Sequence, residues 1–502
     1  MTTGTTAEHL DVLIVGAGLS GIGAARRIQA GLPWASFAIL EARHAIGGTW
    51  DLFRYPGIRS DSDMFTLGYP FRPWDGERSI ADGASILRYI RTTAEETGVD
   101  EHVRFGHRVV RADWSSELAL WKVTAERVDT GDTVHLTCGF LFSCTGYYRY
   151  DHGHLPDFAG MDRFAGTIVH PQHWPEDLDV ADKQVVVIGS GATAVTLVPA
   201  LAQTAAHVTM LQRSPTWIMS LPGRNPAADA LRRVLPARLA GPAVRWLLAL
   251  GTLALFELSR RWPAAVKRML LAGARRQLPP GYDVATHFTP RYDPWDQRLC
   301  IVPEGDLFAA IRHGSASVVT DHVDTFTEDG IRLRSGRTLP ADLVVTATGL
   351  DLLFLGGMAL SVDGEAVDPA RRLTYKGMML QDVPNLAFAI GYTNASWTLK
   401  CDLTCGFVVR VLQHLRDRGL RQVTPAGTGA SGSDEPLFGL SSGYVQRAVD
   451  RFPLQGADDP WRIHQNYVRD RRLIRHGSVD DGTLVYTNPV PTPAPAGVGA
   501  PA

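Results

Sequence analysis

Two copies of one local pattern constrain the fold of this chain more than any other feature. Each copy reads as a short apolar strand, a glycine-rich turn and an alanine-rich helix: LDVLIVGAGLSGIGAARRIQA near the start and KQVVVIGSGATAVTLVPALA near the middle. No short fixed period relates them, so they indicate two related domains and not a repeat array. At 502 residues the chain is also too long for a single hydrophobic core. We therefore predict an α/β protein with two doubly wound domains.

The first turn has the spacing GxGxxG, formed by Gly16, Gly18 and Gly21. In such a turn the first glycine permits the sharp bend, the second admits a pyrophosphate, and the third lets the helix pack close to the strand. Glu41 ends the second apolar strand, where a carboxylate can accept hydrogen bonds from an adenosine ribose. The pattern predicts a dinucleotide site. The alternative is a glycine turn that serves packing alone.

The second turn, Gly189, Gly191 and Ala194, has the spacing GxGxxA. Its following strand ends beside Arg213 and carries no acid there. A guanidinium can bind a 2′-phosphate that a carboxylate would repel, so this turn predicts NADPH in preference to NADH. The alternative is that Arg213 is a solvated surface charge. Together the two turns predict two Rossmann-like dinucleotide-binding domains, one for a resident cofactor and one for a cofactor that exchanges.

Composition excludes several other classes of protein. The 50 basic and 52 acidic residues nearly cancel, so no overall field favours nucleic acid as a partner. The five cysteines form no metal-binding or redox pair beside either turn, which argues against a metal site and against a disulfide reductase. No signal peptide precedes the first strand, and we expect a cytoplasmic protein. The layout that remains is an NADPH-dependent flavoprotein.

Two further motifs carry a family resemblance. Between the glycine turns, FAGTIVHPQHWP has the spacing FxGxxxHxxxWP through Phe164, Gly166, His170, Trp174 and Pro175. Upstream, the stretch GGTWDLFRYPGIRSD contributes a second motif, through Gly47, Gly48, Trp50, Tyr55, Pro56, Gly57 and Asp61. The chain resembles the type I Baeyer–Villiger monooxygenases, which are class B flavoproteins, and most of all their ethionamide-activating type. The likeness runs from about Glu8 to about Leu484. It implies FAD, NADPH, molecular oxygen, and ketone or sulfur-containing substrates.

The resemblance also implies site residues. Arg298 in WDQRLC matches the catalytic arginine of the family, and Asp61 matches the carboxylate that positions it, while Trp50 and Asp61 fall on the FAD side. Chemistry supports the assignment, because a C4a-peroxyflavin attacks a ketone only as an anion and a fixed cation favours that anion. The alternative is a plain ion pair between domains. Asp63 lies two residues from Asp61, and motif register selects Asp61.

The expected roles of Gln297 and His170 rest on separate arguments. Gln297 stands where many family members have a lysine that helps to hold the 2′-phosphate, so NADPH selectivity depends more heavily on Arg213. His170 lies in the segment that joins the two nucleotide domains of the family. We interpret it as a residue of domain coupling and not as an acid or base, because most histidines beside apolar segments are structural.

The expected domain organisation is discontinuous. We place the FAD-binding domain at residues 1–150 and 373–488, the NADPH-binding domain at 151–372, a helical insertion at about 222–288, and a disordered tail at 489–502.

The insertion carries a local charge bias. Between residues 226 and 276 there are ten Lys or Arg residues, against Asp229 and Glu257 only. Its apolar run, Trp246 to Phe256, is 11 residues long, shorter than the roughly 20 that span a bilayer. One interpretation is peripheral contact with the inner face of a membrane. We favour the other, a buried wall of the substrate pocket with a solvated basic rim.

The predicted function follows from these steps. An NADPH-consuming FAD enzyme would convert ketones to esters or lactones through a C4a-peroxyflavin, and would also oxidise the sulfur of sulfides or thioamides. A flavin-containing N- or S-monooxygenase is the nearest alternative enzyme. A non-catalytic nucleotide-binding redox sensor is the alternative from another class.

Overall fold

The fold is described from a computed structural model, which covers residues 7–427 and 432–489. The predicted disordered tail therefore falls, except for Pro489, outside the described residues.

The first segment builds the core of one α/β unit. Its elements are β1 (Glu8–Val15), α1 (Leu19–Gly31), β2 (Phe37–Leu40), α2 (Thr49–Leu52), α3 (Met64–Leu67), α4 (Gly83–Thr97), β3 (Val103–Arg104), β4 (His107–Ser115), β5 (Leu120–Arg127) and β6 (Thr133–Ser143).

The middle segment builds a second α/β unit and the helical insertion. Its elements are β7 (Thr167–Val169), β8 (Gln184–Ile188), α5 (Ala192–Leu201), β9 (His207–Gln212), β10 (Ile218–Leu221), α6 (Pro226–Val234), α7 (Ala237–Arg261), α8 (Pro263–Gln277), α9 (Val284–Phe288), β11 (Cys300–Pro303), α10 (Asp306–Arg312), β12 (Ala316–Thr320), β13 (Val323–Thr327), β14 (Gly330–Leu333), β15 (Thr338–Pro340) and β16 (Leu343–Thr346).

The last segment returns to the first unit. Its elements are β17 (Ala359–Val362), β18 (Glu365–Val367), β19 (Thr374–Tyr375), β20 (Met379–Leu380), β21 (Leu386–Phe388), α11 (Trp397–Asp417), β22 (Gln422–Pro425), β23 (Gly432–Pro436), α12 (Gly443–Gln446), β24 (Leu454–Gly456), α13 (Tyr467–Asp470) and β25 (Leu484–Thr487).

The larger sheet has the strand order β18-β17-β4-β5-β6-β1-β2-β3, and β21 pairs with β6. β1 lies parallel to both β2 and β6, with Val15 opposite Leu40 and Ser143. The apolar run of β1 is buried on both faces, because α1, α4 and α11 cover one face and the side chains around Trp121 and Phe388 cover the other. The carboxyl ends of these parallel strands meet at one edge.

The second sheet has the order β12-β9-β8-β16-β7, and all of its pairs are parallel. Its helices α5 and α10 pack over the apolar residues of β8 and β9. The mixed α/β architecture with two Rossmann-like dinucleotide-binding units confirms the predicted fold class.

The structure corrects one domain boundary. The strand β17 already pairs with β4 of the larger sheet, with Ala359 opposite Arg111. Leu352 and Phe354 belong to the apolar core of that sheet as well. The chain therefore returns to the first unit before residue 373, the position predicted from the sequence. A glycine turn ending at Gly349 precedes this return, but the strands after it, β17 and β18, are only four and three residues long, so no long apolar strand marks the boundary.

Candidate active site

The first glycine turn lies at the carboxyl edge of the larger sheet. Gly16 has φ +102°, and a Cβ there would lie 2.8 Å from the carbonyl oxygen of Cys144. A Cβ at Gly21 would lie 1.8 Å from the carbonyl oxygen of Gly16, so α1 packs against the turn at a distance that only glycine allows. Gly18 precedes the first residue of α1, where unpaired backbone N–H groups favour an anion.

A cavity of about 550 Å³ begins at this turn. It extends past Glu41 and the Gly47–Trp50 segment to the Arg298 side chain. This volume suits a cofactor or substrate. The residues present fit FAD: the turn offers amides for the pyrophosphate, Glu41 offers a carboxylate for the ribose, and Trp50 offers an aromatic face for a planar ring system.

Glu41 is buried and already holds the local backbone. Its Oε2 accepts a hydrogen bond of 2.7 Å from the Ala17 N–H, and its Oε1 accepts one of 2.9 Å from the Arg43 N–H. Burial raises the pKa of this carboxyl, although both N–H groups act in the opposite direction. Each carboxylate oxygen can accept a second hydrogen bond, so Glu41 remains available to a ribose hydroxyl.

The Arg298 guanidinium and the Asp61 carboxylate meet at the far end of the same cavity. The Arg298 Nε lies 2.8 Å from Asp61 Oδ2, and Nη2 donates to Asp61 Oδ1 at 3.2 Å. The two side chains are 29% and 30% exposed, which leaves one edge of the guanidinium facing the cavity. Burial by itself lowers the pKa of Arg298, but the charge of Asp61 and the neighbouring Tyr147, Tyr444 and Tyr148 together outweigh burial, and the pKa is raised. The site therefore holds a permanent, oriented cation.

Asp63 has a different function in the structure. It is the N-cap of α3, where its side chain accepts 2.8 Å and 2.6 Å hydrogen bonds from the Thr66 N–H and Oγ1–H. Burial raises the pKa of its carboxyl. Among the described residues, Asp61 is the carboxylate paired with Arg298.

The loop that carries Arg298 is held by two helices of the insertion. Lys267 Nζ of α8 lies 2.5 Å from Asp293 Oδ1. Arg260 Nη1 of α7 donates to Asp296 Oδ1 at 2.7 Å. The rings of Phe256 in α7 and Trp295 in the loop meet edge to face at 5.8 Å. These contacts could not be predicted from the sequence, in which the basic residues are visible only as a charge bias.

Three tyrosines near the cation, Tyr147, Tyr148 and Tyr444, were not predicted as site residues, and Tyr55 was predicted only as a member of the upstream motif. Tyr147 and Tyr148 line the cavity, and their hydroxyl oxygens are 3.4 Å apart. Burial is the main cause that raises the pKa of Tyr147, Tyr148 and Tyr444, while the charge of Arg298 opposes the rise. Tyr55, whose hydroxyl is hydrogen-bonded to Thr193, also lines the cavity. The run YYRY at 147–150 was the available signal.

The Tyr55–Gly57 turn connects the two units. Gly57 has φ +75°, and a Cβ there would lie 2.7 Å from the Cβ of Ala200 and 3.0 Å from the carbonyl oxygen of Thr196. Close by, the guanidinium of Arg59 forms an ion pair with Asp306 at the start of α10. These contacts fix the segment that carries Asp61 against the second sheet.

The second glycine turn lies at the carboxyl edge of the second sheet. Gly189 has φ +142°, and a Cβ there would lie 2.3 Å from the carbonyl oxygen of Ala347. A Cβ at Gly191 would meet nothing within 4 Å, which leaves open space beside the turn for a ligand. Ala194 is fully buried, and Arg213 is exposed directly after β9. Together these residues fit a phosphorylated dinucleotide.

The residues of the second turn, and Arg213, do not line the 550 Å³ cavity. The helix α5 that follows this turn does reach the cavity, through Ala192, Thr193 and Thr196. Gln297 is partly exposed, beside Arg298 in the chain. The nicotinamide site would thus adjoin the FAD site along α5.

The FxGxxxHxxxWP residues also lie outside the described cavity lining. Phe164 packs on Phe326, and a Cβ at Gly166 would lie 2.6 Å from the Phe164 ring. His170 Nε2 donates to the Gly349 carbonyl at 3.3 Å, and Nδ1 accepts from the Gln172 N–H at 3.2 Å. Burial lowers the pKa of His170, in keeping with this neutral tautomer.

The last two residues of FxGxxxHxxxWP lie in the same segment, before β8. Trp174 packs on the apolar core of the second sheet, and Pro175 follows it into the loop before β8. His170 connects the segment before β8 to the turn after β16, and both belong to the second unit, so its role in coupling the two units stays a prediction.

Comparison with known proteins places this geometry in context. A family model for flavin-binding monooxygenase-like proteins matches residues 69–226, and one for an NAD(P)-binding Rossmann-like domain matches residues 14–74. The FAD-containing monooxygenase EthA of Mycobacterium tuberculosis is 54% identical over 492 residues, which cover 98% of this chain and 100% of that protein. The putative FAD-containing monooxygenase MymA of the same species is 51% identical over 491 residues, covering 95% and 98%.

Solved structures share the fold. An oxidized steroid monooxygenase bound to NADP aligns with a TM-score of 0.74 and 22% identity, covering 96% of this chain and 100% of that one. The OTEMO complex with FAD and NADP aligns with a TM-score of 0.69 and 23% identity, covering 84% and 87%.

Proposed function

This chain belongs to the family of FAD-containing monooxygenases that includes EthA and MymA, and from that premise we propose that its reaction is a Baeyer–Villiger oxidation. FAD and NADPH are its cofactors, and it is an enzyme, so a non-catalytic redox sensor is no longer a candidate. In the proposed reaction, a ketone, O₂, NADPH and H⁺ yield an ester or lactone, water and NADP⁺. One oxygen atom enters the bond between the carbonyl carbon and its neighbour, and the other leaves as water.

The Arg298–Asp61 pair is the observation that carries this proposal. FAD, when bound, accepts hydride from NADPH and activates O₂ for transfer. Attack of an oxygen nucleophile on a carbonyl carbon moves negative charge onto the carbonyl oxygen. A guanidinium already oriented at that place stabilises this charge without reorganisation.

Asp61 positions Arg298 and does not need to touch the substrate. Its two contacts, 2.8 Å and 3.2 Å, hold the guanidinium in one plane. The free edge of the guanidinium is then aimed into the cavity that the first glycine turn also lines. Tyr147 and Tyr148 add aromatic surface around the cation, which limits the access of water.

Oxidation of sulfur in sulfides or thioamides is a second candidate activity. It would use the same two cofactors and the same cavity. Sulfur attacks the transferred oxygen with its own lone pair, so no negative charge develops on a carbonyl oxygen. Arg298 is therefore expected to matter less for sulfur than for ketones, and the same distinction separates this chain from a dedicated N- or S-monooxygenase.

The test is to compare the rates at which the Arg298→Ala variant oxidises a ketone and a sulfide. We expect ester formation to fall about 10²- to 10³-fold, as when an oxyanion-stabilising donor is removed, and sulfoxide formation to fall much less. Arg298→Lys should recover only part of the ester activity, because an ammonium lacks the planar pair of donors. The matched control is Arg332→Ala, which removes an exposed ion pair with Asp324 on the second unit.

FAD content and the rate of flavin reduction by NADPH are recorded for every variant. If Arg298→Ala binds and reduces FAD normally yet forms ester within twofold of the unaltered enzyme, the proposed function of the cation is wrong. Equal losses for ketone and sulfide would also contradict it, because they would show a general defect in oxygen activation.

A further inference from the structure

The exposed large apolar side chains of this protein are concentrated in the helical insertion. Of the thirteen in the described residues, seven lie between residues 234 and 269. They are Val234 (80% exposed), Leu239 (51%), Leu247 (42%), Leu250 (47%), Leu258 (42%), Trp262 (55%) and Met269 (52%). Contiguous apolar surface of this kind usually marks a site of interaction.

The central helix α7 has one face packed on the protein. Val244 and Ala249 are buried, and Trp246 meets the Tyr467 ring at 5.5 Å. Arg245 Nη1 donates to the backbone oxygens of residues 65, 66 and 68 at 3.1, 2.9 and 2.6 Å, which satisfies carbonyl groups at the end of α3. These contacts anchor α7 to the FAD-binding unit.

The opposite face of α7 has no such cover. Leu247, Leu250, Ala254 and Leu258 recur three or four residues apart and are all exposed, as expected for one helix face. Within the helix Arg238–Arg261, the most apolar 18-residue window has a mean hydropathy of 1.6, enough by length and composition to cross a membrane, yet only 17% of that window is buried. The insertion is therefore not buried on all sides, and none of its residues lines the described cavity, so its interpretation as a pocket wall gains no support.

Unpaired positive charge surrounds this apolar face. The exposed Arg260 of these helices pairs with Asp296. In the described part of the chain, no carboxylate pairs with the other exposed arginines of the three helices, which are Arg233, Arg238, Arg261, Arg268, Arg275 and Arg276. The Arg261 guanidinium lies 5.7 Å from the centre of the Trp262 ring. An apolar centre with a cationic border is complementary to a surface that is anionic outside and apolar beneath.

We propose that the insertion face, defined as the exposed side chains between Arg233 and Arg276 on α6, α7 and α8, binds the surface of an anionic lipid bilayer. The helices would lie in the plane of the interface, with the leucines in the acyl boundary and the arginines among the headgroups. Anionic lipids of a cytoplasmic leaflet provide that charge.

Two other arrangements fit the observations less well. A spanning α7 would have to abandon the three carbonyl contacts of Arg245 and the packing of Trp246. A two-fold dimer through this face would place the same arginines against each other, since an isologous interface pairs a patch with itself. Like charges at such an interface repel.

The experiment is flotation of the purified FAD-containing enzyme with two kinds of vesicle, one of neutral phosphatidylcholine alone and one that also contains phosphatidylglycerol. We expect co-flotation with the anionic vesicles at low salt, little with the neutral vesicles, and release as salt is raised. Arg275→Gln with Arg276→Gln should weaken binding about 5-fold per cation removed, or about 25-fold together. Leu247→Ser with Leu250→Ser should also weaken binding to the anionic vesicles at low salt, because two apolar side chains no longer enter the acyl boundary.

The control is Val485→Ser, which changes an exposed apolar residue on β25, far from the insertion in the chain. It should float as the unaltered protein does, and FAD content and NADPH oxidation should be unchanged in all the variants. Protein that stays in the soluble fraction with anionic vesicles at low salt overturns the proposal. So does a concentration-dependent dimer that the Leu247/Leu250 double variant dissociates, because the face would then belong to a second copy.

Discussion

Replacement of Gly21 by alanine tests how the first glycine turn binds its cofactor. A Cβ at this position would lie 1.8 Å from the carbonyl oxygen of Gly16. Neither atom can rotate away, because the backbone fixes the position of each. Ordinary contact begins near 3.4 Å, so α1 and the turn would have to separate by about 1.6 Å. That displacement also moves the N–H groups at the start of α1 away from the pyrophosphate position.

The expected loss of stability in Gly21→Ala follows from the close packing of α1 against the turn. Overpacking in a well-packed core costs about 1–3 kcal/mol, and a backbone collision of this size belongs at the upper end. A loss of about 3 kcal/mol lowers the unfolding midpoint by roughly 6–12 °C for a domain of 150–250 residues. We expect Gly21→Ala to be purified largely without FAD and to unfold at a correspondingly lower temperature.

The measurements are the ratio of flavin to protein absorbance after purification in excess FAD, and thermal unfolding by tryptophan fluorescence. The matched control is Gly191→Ala in the second turn, where a Cβ meets nothing within 4 Å. It should leave FAD content and the unfolding midpoint unchanged but raise the KM for NADPH, because the methyl group occupies the space of the ligand. Normal FAD content in Gly21→Ala would refute the packing argument.

Two more predictions concern charge. Arg213→Ala should lower the ratio of kcat/KM for NADPH to kcat/KM for NADH about 10-fold or more, because a charge-assisted hydrogen bond to the 2′-phosphate is lost. Steady-state assays measure this ratio, and an unchanged ratio would show that Arg213 is a solvated surface charge. Asp470→Asn should destabilise the protein by about 3–5 kcal/mol, since the buried Lys400 ammonium, 2.7 Å away, loses its counter-ion. Thermal unfolding measures this against Asp324→Asn, an exposed control for which we expect almost no change.

The sequence predicted the parts of the fold that rest on local pattern. Each strand, turn and helix around the two glycine motifs is contiguous, and Gly16 and Gly189 both have the positive φ that the motif requires. The resemblance brought together Arg298 and Asp61, which lie far apart in the chain but form an ion pair in the structure. Their catalytic and positioning roles remain predictions.

Features that depend on long-range packing could not be predicted in the same way. The strand β17 is only four residues long, and its partner β4 lies far from it in the chain, so no local pattern predicts the pairing. The exposure of one face of α7 could not be predicted from the sequence either. Its composition suits either a buried wall or an interfacial helix, and only its position on the protein distinguishes them.

The helical insertion is more closely tied to the active site than its sequence suggests. Its outward face carries the exposed leucines, while the same helices hold the Arg298 loop through the Arg260–Asp296 and Lys267–Asp293 pairs. Without α7 and α8, that loop would lose both ion pairs and the ring that packs on Trp295. The insertion therefore supports the cation directly, and a lipid surface bound to its outer face would contact helices that are one ion pair away from the loop carrying the guanidinium.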